Sequence, residues 1–271
     1  MIRKTVLAGA VAAVAFMGSA LSARTIDLGF IMDRSGSVGT DFAAAMDALG
    51  DALANNIPTS GSDTYRISVV SFASSASVVV GATTINSQTD LNNVVNTVKA
   101  QNAVGSGATN YQAALDLLGA QFGSLGDLSL INMMTDGQPN LPSDPTTARA
   151  AAKASATTLQ NAGWDSLSFE SVCDATSCTT QNNFLASMGF GPGNTPNDAA
   201  LLPIYTSAAQ IGDPATTPFV LDLPSFAAYN SVIDAKVAKI VNPIPVPAAL
   251  PLLFAGLGVF AFVGRRRRQA A

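Results

Sequence analysis

The chain has 271 residues, is 48% hydrophobic and only 12% charged, and contains no histidine. The missing imidazole excludes Ser-His-Asp and Cys-His nucleophile systems and every histidine-based zinc site. Six of the 14 basic residues (Arg3, Lys4 and Arg265 to Arg268) lie at the two ends, which leaves eight against 18 acids in the body, a balance that repels nucleic acid and attracts cations.

Residues 1–23 have the layout of a secretory signal peptide: Arg3 and Lys4, the apolar run "TVLAGAVAAVAFM", then the small residues "GSALSA". An uncleaved anchor is the alternative, but the apolar run is short for a span. Residues 24–242 alternate apolar runs with helical patterns and are expected to form one α/β domain. The first strand is expected at 26–32 and the first helix at 41–54. Strands at 65–72 and 76–80 follow, separated only by "ASS", too short for a crossover, so this pair forms a hairpin with an antiparallel edge strand. Helices are then expected at 90–100 and 110–122, a strand at 128–134, a helix at 145–162 and a strand at 166–172. Residues 174–214 read as a long loop with short helices at 183–188 and 199–209, with no role assigned. A strand at 217–221 and a helix at 224–241 close the domain. The result is a doubly wound, mostly parallel, six-stranded sheet of Rossmann-like type.

Cys173 and Cys178, separated by "DATS", suggest a small disulfide-closed loop in an exported chain, with two free buried thiols as the alternative. Beyond the domain, 243–247 reads as a stiff proline-rich tether. Residues 248–264 carry no charge and reach about 25 Å as a helix, enough for a short membrane span. Residues 265–271, led by four arginines, would then stay cytoplasmic.

The chemistry concentrates at strand ends. "DRSGS" follows the first strand, and "TDG" follows the fourth, so Asp33 and Asp136 emerge from the carboxyl ends of two strands. In strand order 3-2-1-4-5-6 these are neighbours at the switch point where ligands bind. Two carboxylates in one crevice repel unless a cation lies between them. Ser35 and Ser37 alternate on the loop, with Gly36 allowing a tight bend. Thr109 adds a hydroxyl from "GSGATNY", where Gly105 and Gly107 permit close approach.

These three parts, D-x-S-x-S, a threonine in a glycine-containing loop, and T-D-G, resemble the metal-ion-dependent adhesion site of von Willebrand factor type A domains. The resemblance covers roughly 24–242. It implies that Ser35 and Ser37 bind the metal directly and that Thr109 joins directly or through water. It further implies that Asp33 and Asp136 act largely through water or hydrogen bonds. Hard oxygen donors suit Mg²⁺, with Mn²⁺ or Ca²⁺ as substitutes. The resemblance implies that one coordination position stays open for a partner's carboxylate. The family's last helix shifts and changes affinity, and 224–241 is the matching helix here.

The C-terminal string with Pro245, Val246, Pro247 and Ala248 resembles PEP-CTERM sorting signals of the V-P-L-P-A type. It implies recognition by a membrane-embedded exosortase and delivery to the surface of a Gram-negative bacterium; a permanent single-span anchor is the alternative. Together these features lead to the expectation of an exported, non-enzymatic adhesion module at the cell surface or in the extracellular matrix, engaging an acidic group on a protein or glycan. A structural matrix component and a metal-dependent hydrolase are the alternatives.

Overall fold

The central strands are buried along nearly their whole length because both of their faces are covered. The computed structural model describes residues 23–173, 178–196 and 200–241. Nearly all of the signal-peptide region and all of the tether, the Pro245 to Ala248 motif, the apolar segment 248–264 and the arginine tail lie outside them. Among the described residues, no helix is long and apolar enough to cross a membrane.

The elements run in the order β1 (Thr25–Asp33), α1 (Asp41–Asn56), β2 (Thr64–Phe72), β3 (Ala76–Ile85), α2 (Gln88–Lys99), α3 (Tyr111–Gly119), β4 (Leu128–Thr135), α4 (Pro145–Asn161), β5 (Ser166–Val172), α5 (Cys178–Met188), β6 (Ile204–Tyr205), β7 (Val220–Leu223) and α6 (Phe226–Val241). The sheet order is β3-β2-β1-β4-β5-β7-β6. Every pairing is parallel except β2 with β3. The α/β, doubly wound reading therefore holds, including the antiparallel edge at β3.

Alternation along each strand sends side chains to two cores. Leu28, Phe30 and Met32 face Leu49, Val94 and Ile233 in one core, beneath α1, α2 and α6. Ile31, Met133 and Phe169 face Tyr111, Leu115 and Leu159 in the other, beneath α3, α4 and α5. Caps set several helix starts: Ser87 Oγ accepts from Asp90 N, Asn110 Oδ1 from Ala113 N, and Asp144 Oδ1 from Thr146 N. On α6, Tyr229, Ile233 and Val237 are fully buried, and each contributes roughly 1.5–3 kcal/mol over exposure.

A charged cluster is buried beneath α6. Lys236 Nζ of α6 donates to Glu170 Oε1 of β5 at 2.7 Å and to Asn132 Oδ1 of β4, while Asn132 Nδ2 donates to Glu170 Oε2 at 2.6 Å. The ammonium also lies 4.7 Å from the centre of the Phe219 ring. Burial pulls the Lys236 ammonium below its ordinary value, and Glu170 opposes that pull.

Several sequence expectations need correction. The sheet has seven strands, not six, because Ile204 and Tyr205 form a short edge strand beside β7. That strand lies where a helix at 199–209 was expected; Pro203 cannot donate to a helical ladder, and only Ala208–Gln210 makes a 3-10 turn. The helix expected at 183–188 begins earlier, at Cys178, and buries Phe184, Leu185 and Met188 in the second core. Much of the supposed loop is therefore a structural part of the domain. The last strand begins at Val220 rather than at 217, after Pro218, which has no N–H to pair. β3 runs on past Gly81 to Ile85, because shifts in its register against β2 near Val69 absorb the irregularity. Cys173 and Cys178 are joined by a disulfide.

Candidate functional site

The parallel pairing of β1 with β4 brings two loops to the same crest of the sheet. Asp33 is the last residue of β1 and is fully buried. Its Oδ1 accepts the Ser35 backbone N–H at 2.7 Å, and its Oδ2 accepts the Thr135 hydroxyl at 2.6 Å. Ser35 Oγ lies 3.2 Å from Ser37 Oγ, and Ser37 Oγ donates to Asp136 Oδ1 at 2.8 Å. Four of the five residues singled out in the sequence are thus linked in one hydrogen-bonded row. The row runs outward from buried Asp33 and Ser35 to exposed Ser37 and half-buried Asp136.

Thr109, also buried, is held in the third loop. Its N–H donates to Asn140 Oδ1 at 2.8 Å, and its carbonyl accepts from Asn140 N and Leu141 N at 3.0 and 3.2 Å. Three backbone hydrogen bonds zip this loop to the one carrying the serines: Gly105 N to Gly39 O (2.6 Å), Ser106 N to Arg34 O (2.9 Å) and Gly36 N to Gly107 O (3.0 Å). A Cβ on Gly105 would stand 2.4 Å from Ser35 O, and Gly107 has φ +90°, so both positions require glycine. Gly36 serves differently from the bend expected of it. The left-handed residue in its loop is Gly39, at φ 55°, whereas Gly36 allows close approach, since a Cβ there would meet Gly107 O at 3.3 Å.

Burial pushes the Asp33 carboxyl up to about 7; hydrogen bonds from Thr135 and Ser35 pull it down, and Asp136 adds to the rise. Sequence reasoning missed the groups that hold this carboxyl. Thr135 stands next to Asp136 in "TDG" and was legible there as a hydroxyl at the strand end. Tyr111 gave no signal, because an aromatic residue at a helix start reads as core. Its hydroxyl lies 2.9 Å from Thr135 Oγ1 and donates to Gly137 O, and burial holds its ionisation well above the ordinary value. Asn140, which fixes Thr109, gave none either.

Outside the row opens a cleft of about 330 Å³, lined by Ser37, Asp41, Asp136, Val172, Ser225 and Phe226. The first turn of α6 therefore forms one wall of the mouth. Among the described residues, no three or more Asp, Glu, His or Cys side chains group as a metal-binding cluster. Any cation held here would rest on hydroxyls as well as on the two carboxylates, all hard oxygen donors.

The sequence model of the von Willebrand factor type A domain matches residues 27–191. The chain belongs to that family. No curated protein matches it. Among solved structures, this type A domain is similar to the PilB minor pilin from Streptococcus sanguinis, at 12% identity and a TM-score of 0.58, over 81% of this chain and 62% of that one. It is similar to proximal thread matrix protein 1 from the mussel byssus with a zinc-occupied MIDAS motif, at 15% identity and a TM-score of 0.53, over 80% and 46%. It is also similar to the vWF domain of the type V pili tip protein Mfa5 from Porphyromonas gingivalis, at 12% identity and a TM-score of 0.54, over 80% and 95%. At such identities the likeness is one of fold. The type A chain spans less than two thirds of the pilin and less than half of the thread matrix protein.

Proposed function

We propose that Asp33, Ser35, Ser37, Thr109 and Asp136 form a metal-ion-dependent adhesion site that holds a divalent cation, Mg²⁺ with Mn²⁺ or Ca²⁺ as substitutes, and presents it to an acidic group of a protein or glycan partner. The observation that carries this reading is the hydrogen-bonded row from Asp33 through Ser35 and Ser37 to Asp136, opening into the cleft beside α6. The donors fit the ion. Burial disfavours the Asp33 anion and pushes its carboxyl up to about 7, and a cation nearby relieves that cost.

When bound, the cation supplies an electrophilic centre for a partner's carboxylate. The chain's own residues do the rest. Thr135 fixes the Asp33 carboxyl through one oxygen, and the Ser35 N–H fixes the other. The backbone zipper holds the Thr109 loop against the serine loop. The cleft beside Asp136 admits an extended acidic side chain and is bounded by Phe226.

We read the module as a binding protein: the hydroxyls of Tyr111 and Thr135 beside the row are engaged in fixing Asp33 and Gly137. The thread matrix protein with a zinc-occupied MIDAS motif and the pilus proteins that share its fold support a surface or matrix setting. So does the pair of terminal signals, with an exosortase-like enzyme acting at Pro245 to Ala248. Titration calorimetry of the full chain with MgCl₂ and MnCl₂ tests the site. Saturable uptake that Asp136→Ala removes is the expected result, and no uptake at millimolar metal rejects it. A pull-down from envelope extract with Mg²⁺ and again with EDTA then identifies the partner.

A further inference from the structure

A cleft larger than the one beside Asp136 lies away from the crest of the sheet. It has a volume of about 480 Å³ and lies between α4 and α5, within the range of roughly 300–1,000 Å³ for small-molecule sites. None of its lining residues lines the cleft at Asp136.

From α4 come Thr146, Arg149, Ala150 and Lys153; from α5 come Thr180, Asn183, Phe184 and Ser187. Both sets have the i, i+3, i+4, i+7 spacing that makes one helix face. Two helix faces turned toward each other ordinarily bury apolar ridges against grooves. Here the facing stripes carry three hydroxyls, an amide, a guanidinium and an ammonium, and they stand apart around open space. Two of the body's eight basic side chains line it, in a domain with 18 acids.

The arginine is held ready. Its guanidinium carbon lies 5.6 Å from the centre of the Phe184 ring, which orients the planar fork by cation–π contact. Arg149 Nε finds no hydrogen-bond partner among the described residues. Buried donors are nearly always paired, so an unmet one beside an open cleft marks a place for an acceptor. Leu201, 47% exposed, supplies an apolar surface on the same cleft.

The geometry points to this cleft as a second, metal-independent binding site for an acidic saccharide, its carboxylate received by Arg149 and its hydroxyls by the side chains of Thr146, Thr180 and Asn183. A bare phosphate would need its donors focused on one point. The polar lining instead extends over two turns of α4, about 10 Å along its axis, and across to Thr180 and Asn183 on α5. Hydroxyls and amides both donate and accept, which matches the hydroxyls of a sugar ring, and Leu201 offers a surface to its C–H face.

The test is titration calorimetry of the full chain in EDTA with digalacturonate, a neutral galactose disaccharide and inorganic phosphate as separate probes. Saturable binding of digalacturonate is expected, at least about tenfold tighter than either other probe and equally strong in Asp136→Ala. Arg149→Met should weaken it at least about tenfold while the melting temperature stays unchanged. Exposed Asn183→Ala should weaken it without any risk to folding. No digalacturonate heat, equal affinity for the neutral sugar or for phosphate, or wild-type binding in both variants overturns the assignment. Because EDTA is present throughout, the outcome is independent of the metal site, whose failure would show only in the magnesium titration.

Discussion

Ser37 Oγ donates to Asp136 Oδ1 across 2.8 Å and so joins two loops whose residues lie 99 positions apart in the chain. Both side chains sit at the outer end of the row, where solvent reaches them. Asp136→Ala should abolish Mg²⁺ and Mn²⁺ binding, and Ser37→Ala should weaken it at least about tenfold. Neither should cost more than about 1 kcal/mol of stability, because surface changes rarely do. Calorimetric titration and urea denaturation check the two halves of this expectation.

Asp33 gives the metal-free chain a pH dependence. Its folded pKa of about 7 lies above the unfolded carboxyl value near 4, so between these values the folded chain keeps a proton that the unfolded chain has released. The stabilisation is complete below about pH 4 and is lost as pH rises through about 7, with a total on the order of a few kcal/mol. In EDTA, the urea midpoint should therefore fall across this window more steeply in the wild type than in Asp33→Asn. A flat difference between the two would contradict the burial argument.

At Gly105, an added Cβ would meet Ser35 O at 2.4 Å and Gly39 N at 2.7 Å, both backbone atoms that cannot step aside. Gly105→Ala should push the Thr109 loop away from the serine loop. We expect weaker metal binding together with faster amide exchange at Gly36 and Ser106, whose N–H groups close the zipper. Hydrogen exchange read by mass spectrometry resolves this.

Lys236 and Glu170 form a buried pair with Asn132 as the third member. Lys236→Met strands the carboxylate and should cost about 3–5 kcal/mol in denaturant unfolding. Adding Glu170→Gln removes the charge while keeping an acceptor for Asn132, and should restore most of the loss. If the double variant were as unstable as the single one, the cost would lie in packing and not in charge.

The chain announces most of its architecture because the relevant signals are local. Apolar runs with helical patterns between them define β1, β2, β4 and β5, and the three-residue link "ASS" leaves no choice but a hairpin. Asp33, Ser35, Ser37, Thr109 and Asp136 stood out because strand ends, glycine loops and oxygen side chains are visible in short windows. The region between Asp174 and Pro214 misled because its Asn, Gly and Pro content describes a loop equally well. Whether Phe184 and Met188 find a core is a property of their neighbours and not of their own segment.

What the residues alone decided is the alternating α/β plan, the hairpin edge and the set of oxygens at two strand ends, since each depends on the periodicity or turn chemistry of a few consecutive positions. What only the folded chain decided is which distant groups meet: Thr135 and Tyr111 around Asp33, Asn140 beneath Thr109, Lys236 against the chain's one glutamate, and Arg149 over Phe184. Those partnerships carry no local signature, because the free energy of burying a polar group is set by whichever side chain arrives from the other side of the sheet.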